Sequence, residues 1–255
     1  MRPKMKIILV ISLVLNIVLI FSTFMISDWK KGALIEAAAS SLFKNDNNMD
    51  PYLKKKKQKN ITIYTKYYQT KKNIFDSYQH RPNEIIFLGD SMTDYYEWGE
   101  SFRNERIINR GISGDTTFGV LNRIDEVIQA QPKKLFIMIG INDMLAQQEL
   151  DTIETNYKEI VNTIRKQSPE TNVYIQSVLP VNQKLHGNYV QNDAIYLFNR
   201  RLETLASLHD IPFINLYPKF LENGQLNPDL TYDGLHLNGK GYKIWKETVN
   251  AYVKQ

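Results

Sequence analysis

A chain of 255 residues, 43% hydrophobic and 23% charged, has the balance of a folded protein with one large α/β domain or two small ones. It contains no cysteine, which excludes disulfides, thiolate nucleophiles and cysteine-ligated zinc. The net charge of +5 is uneven: residues 1–60 carry 11 Lys/Arg against 4 Asp/Glu, and residues 61–255 carry 21 against 23, so no basic face for nucleic acid is expected on the folded part.

Arg2, Lys4 and Lys6 precede Ile7–Ile26, an apolar run of 20 residues of which fifteen are Leu, Ile, Val or Phe. Twenty helical residues span about 30 Å, the thickness of a bilayer's hydrocarbon core. Burying those fifteen side chains favours insertion by about 4–9 kcal/mol. A cleaved signal peptide has a shorter apolar region, about 7–15 residues, with small residues close behind it. Here Asp28-Trp29-Lys30-Lys31 follows instead, and Ala37-Ala38-Ala39 comes later. Residues 1–27 are therefore expected to be a transmembrane signal anchor. The protein would sit in the cell membrane as a single-pass chain with the domain that follows outside the cytoplasm, or be secreted if the segment is cleaved. Residues 28–60, with the turn-forming Asn45–Pro51 and the charge run Lys54–Lys57, are expected to be a basic stalk. The folded domain is assigned to residues 61–255.

Residues 61–80 space Ile61, Tyr64, Tyr67, Tyr68, Ile74, Phe75 and Tyr78 at helical intervals, ending before His80-Arg81-Pro82. Strands are then expected at Ile85–Leu88, Arg106–Asn109, Leu135–Ile139, Val173–Val178 and Pro212–Asn215. Helices are expected near 117–130, 151–167, 189–209 and 239–253. Short apolar runs alternating with amphipathic helices predict a parallel sheet covered on both sides.

Four stretches carry chemistry. Ile85–Leu88 ends in Gly89-Asp90-Ser91, which puts a serine at the carboxyl end of a buried strand, where open α/β sheets bind ligands. A serine hydroxyl is a weak nucleophile unless a base and oxyanion donors accompany it. Asp90 is expected to be a structural hydrogen-bond acceptor. Gly111-Ile112-Ser113-Gly114-Asp115-Thr116-Thr117 follows a strand and opens a helix, which suits an oxyanion site or an ordinary strand-to-helix turn. Gly140-Ile141-Asn142-Asp143 offers a neutral side-chain amide donor or a turn-capping Asx residue. Asp233-Gly234-Leu235-His236 lets a carboxylate fold back onto an imidazole and fix its tautomer, leaving the other nitrogen to accept a serine proton. Of four histidines, His236 is the best placed base.

The four blocks in this order resemble the SGNH, or GDSL-type, serine esterase and lipase superfamily over roughly residues 84–250. The wording Gly-Ile-Ser-Gly-Asp-Thr-Thr is similar to its platelet-activating-factor acetylhydrolase-like and lysophospholipase/thioesterase branch, while Met92 stands where the family name implies Leu. The resemblance implies Ser91 as nucleophile, His236 as base and Asp233 as orienter. Its oxyanion donors would be the backbone N–H groups of Ser91 and Gly114 and the amide of Asn142. It implies neither metal nor organic cofactor. The expected fold is a three-layer α/β/α sandwich around a five-stranded, flavodoxin-like parallel sheet, preceded by the transmembrane helix. The expected partners are a small acyl ester of a lipid or glycan and, through the N-terminal helix, the membrane. Alternatives are an extracellular glycan O-acetyltransferase with the same triad and a silent tethered binding protein. Val181–Val190 and the region of Trp98 are candidate pocket walls.

Overall fold

Parallel pairing of five short strands dominates the computed structural model, which describes residues 65–254. In chain order the elements are α1 (Lys66–Asp76), β1 (Ile85–Gly89), α2 (Ser91–Asp94), α3 (Trp98–Phe102) and β2 (Ile107–Gly111). There follow α4 (Thr117–Leu121), α5 (Ile124–Gln129), β3 (Lys134–Met138), α6 (Ile141–Leu145), α7 (Leu150–Gln167) and β4 (Asn172–Gln176). The last group is α8 (Gln183–His186), α9 (Asn192–Leu208), β5 (Phe213–Ile214), the strand pair β6 (Leu221–Glu222) and β7 (Gln225–Leu226), and α10 (Gly239–Lys254).

The sheet order is β2-β1-β3-β4-β5, all parallel, which is the flavodoxin-like order. Alternation along each strand sends side chains to two separate cores. Ile86, Leu88, Leu135, Ile137 and Ile175 meet α4, α5, α7 and α9 on one face. Ile85, Phe87, Phe136, Tyr174 and Ile214 meet α3 and α10 on the other. The result is the expected three layers.

On the second face, register aligns Phe87 with Phe136 and Phe136 with Tyr174. Their rings stack at 4.7 and 4.6 Å, and Trp98 extends the stack at 3.9 Å from Phe87. Such pairs contribute about 0.5–1.5 kcal/mol each beyond the area they bury. Trp98 is fully buried, with its indole N–H donated to Thr93 O at 2.9 Å, so it is a core residue and not the pocket wall expected of its region.

The expected helix at 117–130 is two helices, broken at Asn122-Arg123. Arg123 turns inward there, donating to Asp115 at 2.8 Å and to Gly89 O at 3.1 Å. A buried guanidinium needs such acceptors, and that need outweighs one more turn of helix. The expected transmembrane segment, the basic stalk and residues 61–64 of the expected domain lie outside the described residues. Among the described residues no helix is long and apolar enough to cross a membrane.

Candidate active site

Gly89, the last residue of β1, pairs with Gly111 of β2 on one side and Met138 of β3 on the other. The three segments that follow therefore leave neighbouring strands at one level, next to the point where the strand order reverses. That is the crevice in which open α/β sheets bind ligands.

Ser91 is the first residue of α2, and Asp90 caps the helix by accepting the Met92 N–H at 2.9 Å. The acceptor role expected of Asp90 is thus the one it plays. Burial pushes the Asp90 carboxyl up to about 7 despite the Met92 N–H, with the Asp115 and Asp143 carboxylates adding to the rise. The first N–H groups of any helix have no intrahelical acceptor, so that of Ser91 is available to an incoming anion.

Ser91 Oγ lies 2.9 Å from His236 Nε2, and His236 Nδ1 lies 2.6 Å from Asp233 Oδ2. The second oxygen, Oδ1, accepts the N–H groups of Leu235 at 2.9 Å and His236 at 2.8 Å. Partial burial raises the Asp233 pKa, but the His236 bond and these two N–H groups outweigh it and leave the carboxyl near about 2. It is therefore ionised at any ordinary pH and offers an acceptor to a proton on Nδ1; with the proton there, Nε2 can accept from Ser91.

The turn that makes this possible depends on residues the motif reading passed over. Gly234 has φ +83, and a Cβ there would lie 2.6 Å from Asn182 O. Thr231 Oγ donates to His236 O at 2.7 Å and accepts the Gly234 N–H at 2.9 Å, lacing the turn across its base. Their signal in the sequence is only a threonine two residues before the aspartate.

Gly114 has φ +80 on an open face, where a side chain would be strained although no atom lies within 4 Å to obstruct it. Asn142 donates one amide hydrogen to Asp115 O at 2.8 Å, which fixes the plane of the amide. Asp143 accepts from Thr117 N at 2.9 Å and Thr117 Oγ at 2.6 Å, tying the start of α4 to α6. Ser91 at the start of α2, Gly114 in the loop after β2 and Asn142 in α6 thus all follow the carboxyl ends of neighbouring strands, and Asp233 and His236 join them through the contact of His236 with Ser91. Tyr95 was also missed: its ring lies 5.0 Å from that of His236, and its hydroxyl meets Ser113 Oγ at 3.1 Å. Of the candidate pocket loop, Leu185 and Tyr189 are exposed.

Met92, Met138, Ile141, Leu179 and Leu235 line a narrow apolar cleft of about 10 Å³, room for about one water-sized group. Three of them are sequence neighbours of Ser91, Asn142 and His236. Among the described residues no group of acidic or histidine side chains could hold a metal ion.

The model of the GDSL-like lipase/acylhydrolase family matches residues 87–244. The chain belongs to that family. Its GDSL-like relatives include the platelet-activating factor acetylhydrolase IB subunit alpha1 of Rattus norvegicus, 29% identical over 181 residues that span 66% of this chain and 74% of the relative. Among solved structures, a Streptococcus pneumonia chain assigned as a platelet activating factor is 27% identical with a TM-score of 0.66, covering 85% of this chain and 98% of that one. A GDSL-like lipase from Bacteroides thetaiotaomicron is 25% identical with a TM-score of 0.63, over 73% and 97% of the two chains. The acetyl xylan esterase AlAXEase, 22% identical with a TM-score of 0.56 over 67% and 99%, shares the fold. As a GDSL-like acylhydrolase, this chain is a carboxylic ester hydrolase.

Proposed function

We propose that this chain is an exported, membrane-tethered serine esterase that removes short acyl groups, acetyl above all, from esters of a lipid or carbohydrate. The observation that carries the chemistry is the continuous relay Ser91 Oγ–His236 Nε2 and His236 Nδ1–Asp233, at 2.9 and 2.6 Å. Ser91 Oγ attacks the ester carbonyl while His236 Nε2 takes its proton. The tetrahedral oxyanion is held by the N–H groups of Ser91 and Gly114 and by the Asn142 amide. His236 then gives the proton to the departing alcohol oxygen, leaving an acyl-serine. Water, deprotonated by the same nitrogen, releases the acid and restores Ser91.

A short acyl group is supported by the likeness to the platelet-activating factor acetylhydrolase subunit, whose name gives acetyl as the group it removes. The apolar run Ile7–Ile26 after three basic residues supports export and tethering. Hydrolysis of a p-nitrophenyl ester series by the parent and Ser91→Ala chains tests the reading. The expected result is the highest kcat/KM on acetate, lost with Ser91→Ala. Preference for palmitate refutes the short-chain reading, and faster transfer to a glycan hydroxyl than to water replaces the esterase with an O-acetyltransferase. Deleting residues 1–27 is expected to move the protein from the membrane fraction to the soluble one.

A further inference from the structure

The first described helix, α1, ends before the stretch the family model matches, yet it meets the candidate oxyanion loop directly and again through Asp94 of α2. Tyr68 and Phe75 pack against Ile112, the residue that follows Gly111 into that loop. Tyr67 and Lys71 reach Asp94, the last residue of the serine helix α2: Tyr67 Oη donates to Oδ2 at 2.6 Å and Lys71 Nζ to Oδ1 at 2.8 Å. Asp94 Oδ2 also accepts the Ser113 N–H at 3.0 Å. Its side chain is 4% exposed, so this carboxylate is desolvated and its orientation is fixed by its three donors.

One carboxylate thus links the helix that carries Ser91, the Ile112–Ser113 peptide of the loop that holds Gly114, and α1. The held N–H belongs to the Ile112–Ser113 peptide, one peptide before the Ser113–Gly114 peptide whose plane decides where the Gly114 N–H points, so fixing the first leaves only the Ser113 backbone torsions between Asp94 and that N–H. Burial, followed by the Asp94 bond, raises the Tyr67 pKa, so its hydroxyl stays a proton donor. Lys71 Nζ is further held 5.1 Å from the Phe75 ring centroid.

We propose that Tyr67 and Lys71 are positioning residues for the oxyanion hole, acting through Asp94 and Ser113 to aim the Gly114 N–H. The proposal rests on the reading of Gly114 as an oxyanion donor. Electrostatic stabilisation of this kind depends on donors held still, and a displacement of about 1 Å can cost 10²-fold in rate. Substrate binding does not depend on the oxyanion, so the loss falls on kcat and leaves KM in place.

The test uses the full chain with Tyr67→Phe, Lys71→Met, the pair together, Lys71→Arg, and Lys72→Met as comparator. Lys72 is on the same helix but pairs with Asp76 at 2.6 Å. The double variant is expected to lose about 10-fold to 10²-fold in kcat on p-nitrophenyl acetate, with KM within about twofold. Its affinity for a boronic acid, which forms a tetrahedral adduct on the serine, falls by the same factor. Lys71→Arg recovers most of the loss of Lys71→Met, and Lys72→Met matches the parent. Retained kcat and boronate affinity in the double variant overturn the proposal, as does a loss seen only in Tm or KM. A parent without Ser91-dependent turnover overturns this proposal together with the reading beneath it, whereas an active parent with unaffected variants overturns this proposal alone.

Discussion

Replacing Asp233 with asparagine separates orientation of the base from loop stability. Asp233 Oδ1 accepts two backbone N–H groups, from Leu235 at 2.9 Å and His236 at 2.8 Å, and only an oxygen can occupy that place. An asparagine turned the other way would set its NH₂ against both donors, at about 1–3 kcal/mol for each bond lost. Its NH₂ therefore takes the position of Oδ2, which lies 2.6 Å from His236 Nδ1. There it donates to Nδ1, the ring proton moves to Nε2, and the nitrogen facing Ser91 becomes a donor that cannot accept the serine proton. Such a tautomer error costs about 10⁴-fold in kcat, equivalent to roughly 5.5 kcal/mol of transition-state stabilisation. The assay is steady-state hydrolysis of p-nitrophenyl acetate beside a thermal melt. The expected result is the full loss in kcat with KM and Tm close to the parent's. A kcat within about 10-fold of the parent would show that Asp233 only braces the turn.

Asn142→Ala removes one proposed oxyanion donor and is expected to lower kcat about 10²–10³-fold at unchanged KM; an effect confined to Tm would make Asn142 a turn cap only. Asp90, pushed up to about 7, keeps its proton in the folded state while the unfolded carboxyl loses it near 3.8. Only the folded state is protonated in that window, so stability falls as pH rises through it, by on the order of 4 kcal/mol from this group. Asp90→Asn keeps the acceptor for the Met92 N–H without the charge, and Tm measured from pH 4 to 7 is expected to decline less steeply than in the parent. An unchanged slope refutes the assignment. Trp98→Ala empties the end of the aromatic stack next to Phe87 and is expected to cost about 3–5 kcal/mol in a denaturant melt; a loss below about 1 kcal/mol would mean that the core closes over the gap.

Strands and long helices were legible because their signals are local. Ile85–Leu88 is apolar throughout since both faces of a central parallel strand are covered. The α7 residues Ile153, Tyr157, Ile160, Val161 and Ile164 repeat at helical intervals because only one side meets the sheet. Helices α2 and α6 are too short to show any period, and the break at Arg123 follows from acceptors 8 and 34 residues away in sequence. The residues expected at the site lie together because each ends a strand or occupies the single Asp-x-x-His turn. Their supports were invisible for the opposite reason. Asp94 finds its partners 19 to 27 residues away, and nothing in its own neighbourhood marks it.

The spacing of Asp233 and His236 has a consequence for how the enzyme comes into being. Base and orienter lie in one turn, laced locally by Thr231, and can be assembled before the domain is complete. Ser91, the proposed nucleophile, is 145 residues away from His236 along the chain. Helical content and even a finished sheet can therefore precede any chemistry during refolding. The return of turnover would time a single late event, the docking of the C-terminal turn over the edge of β1.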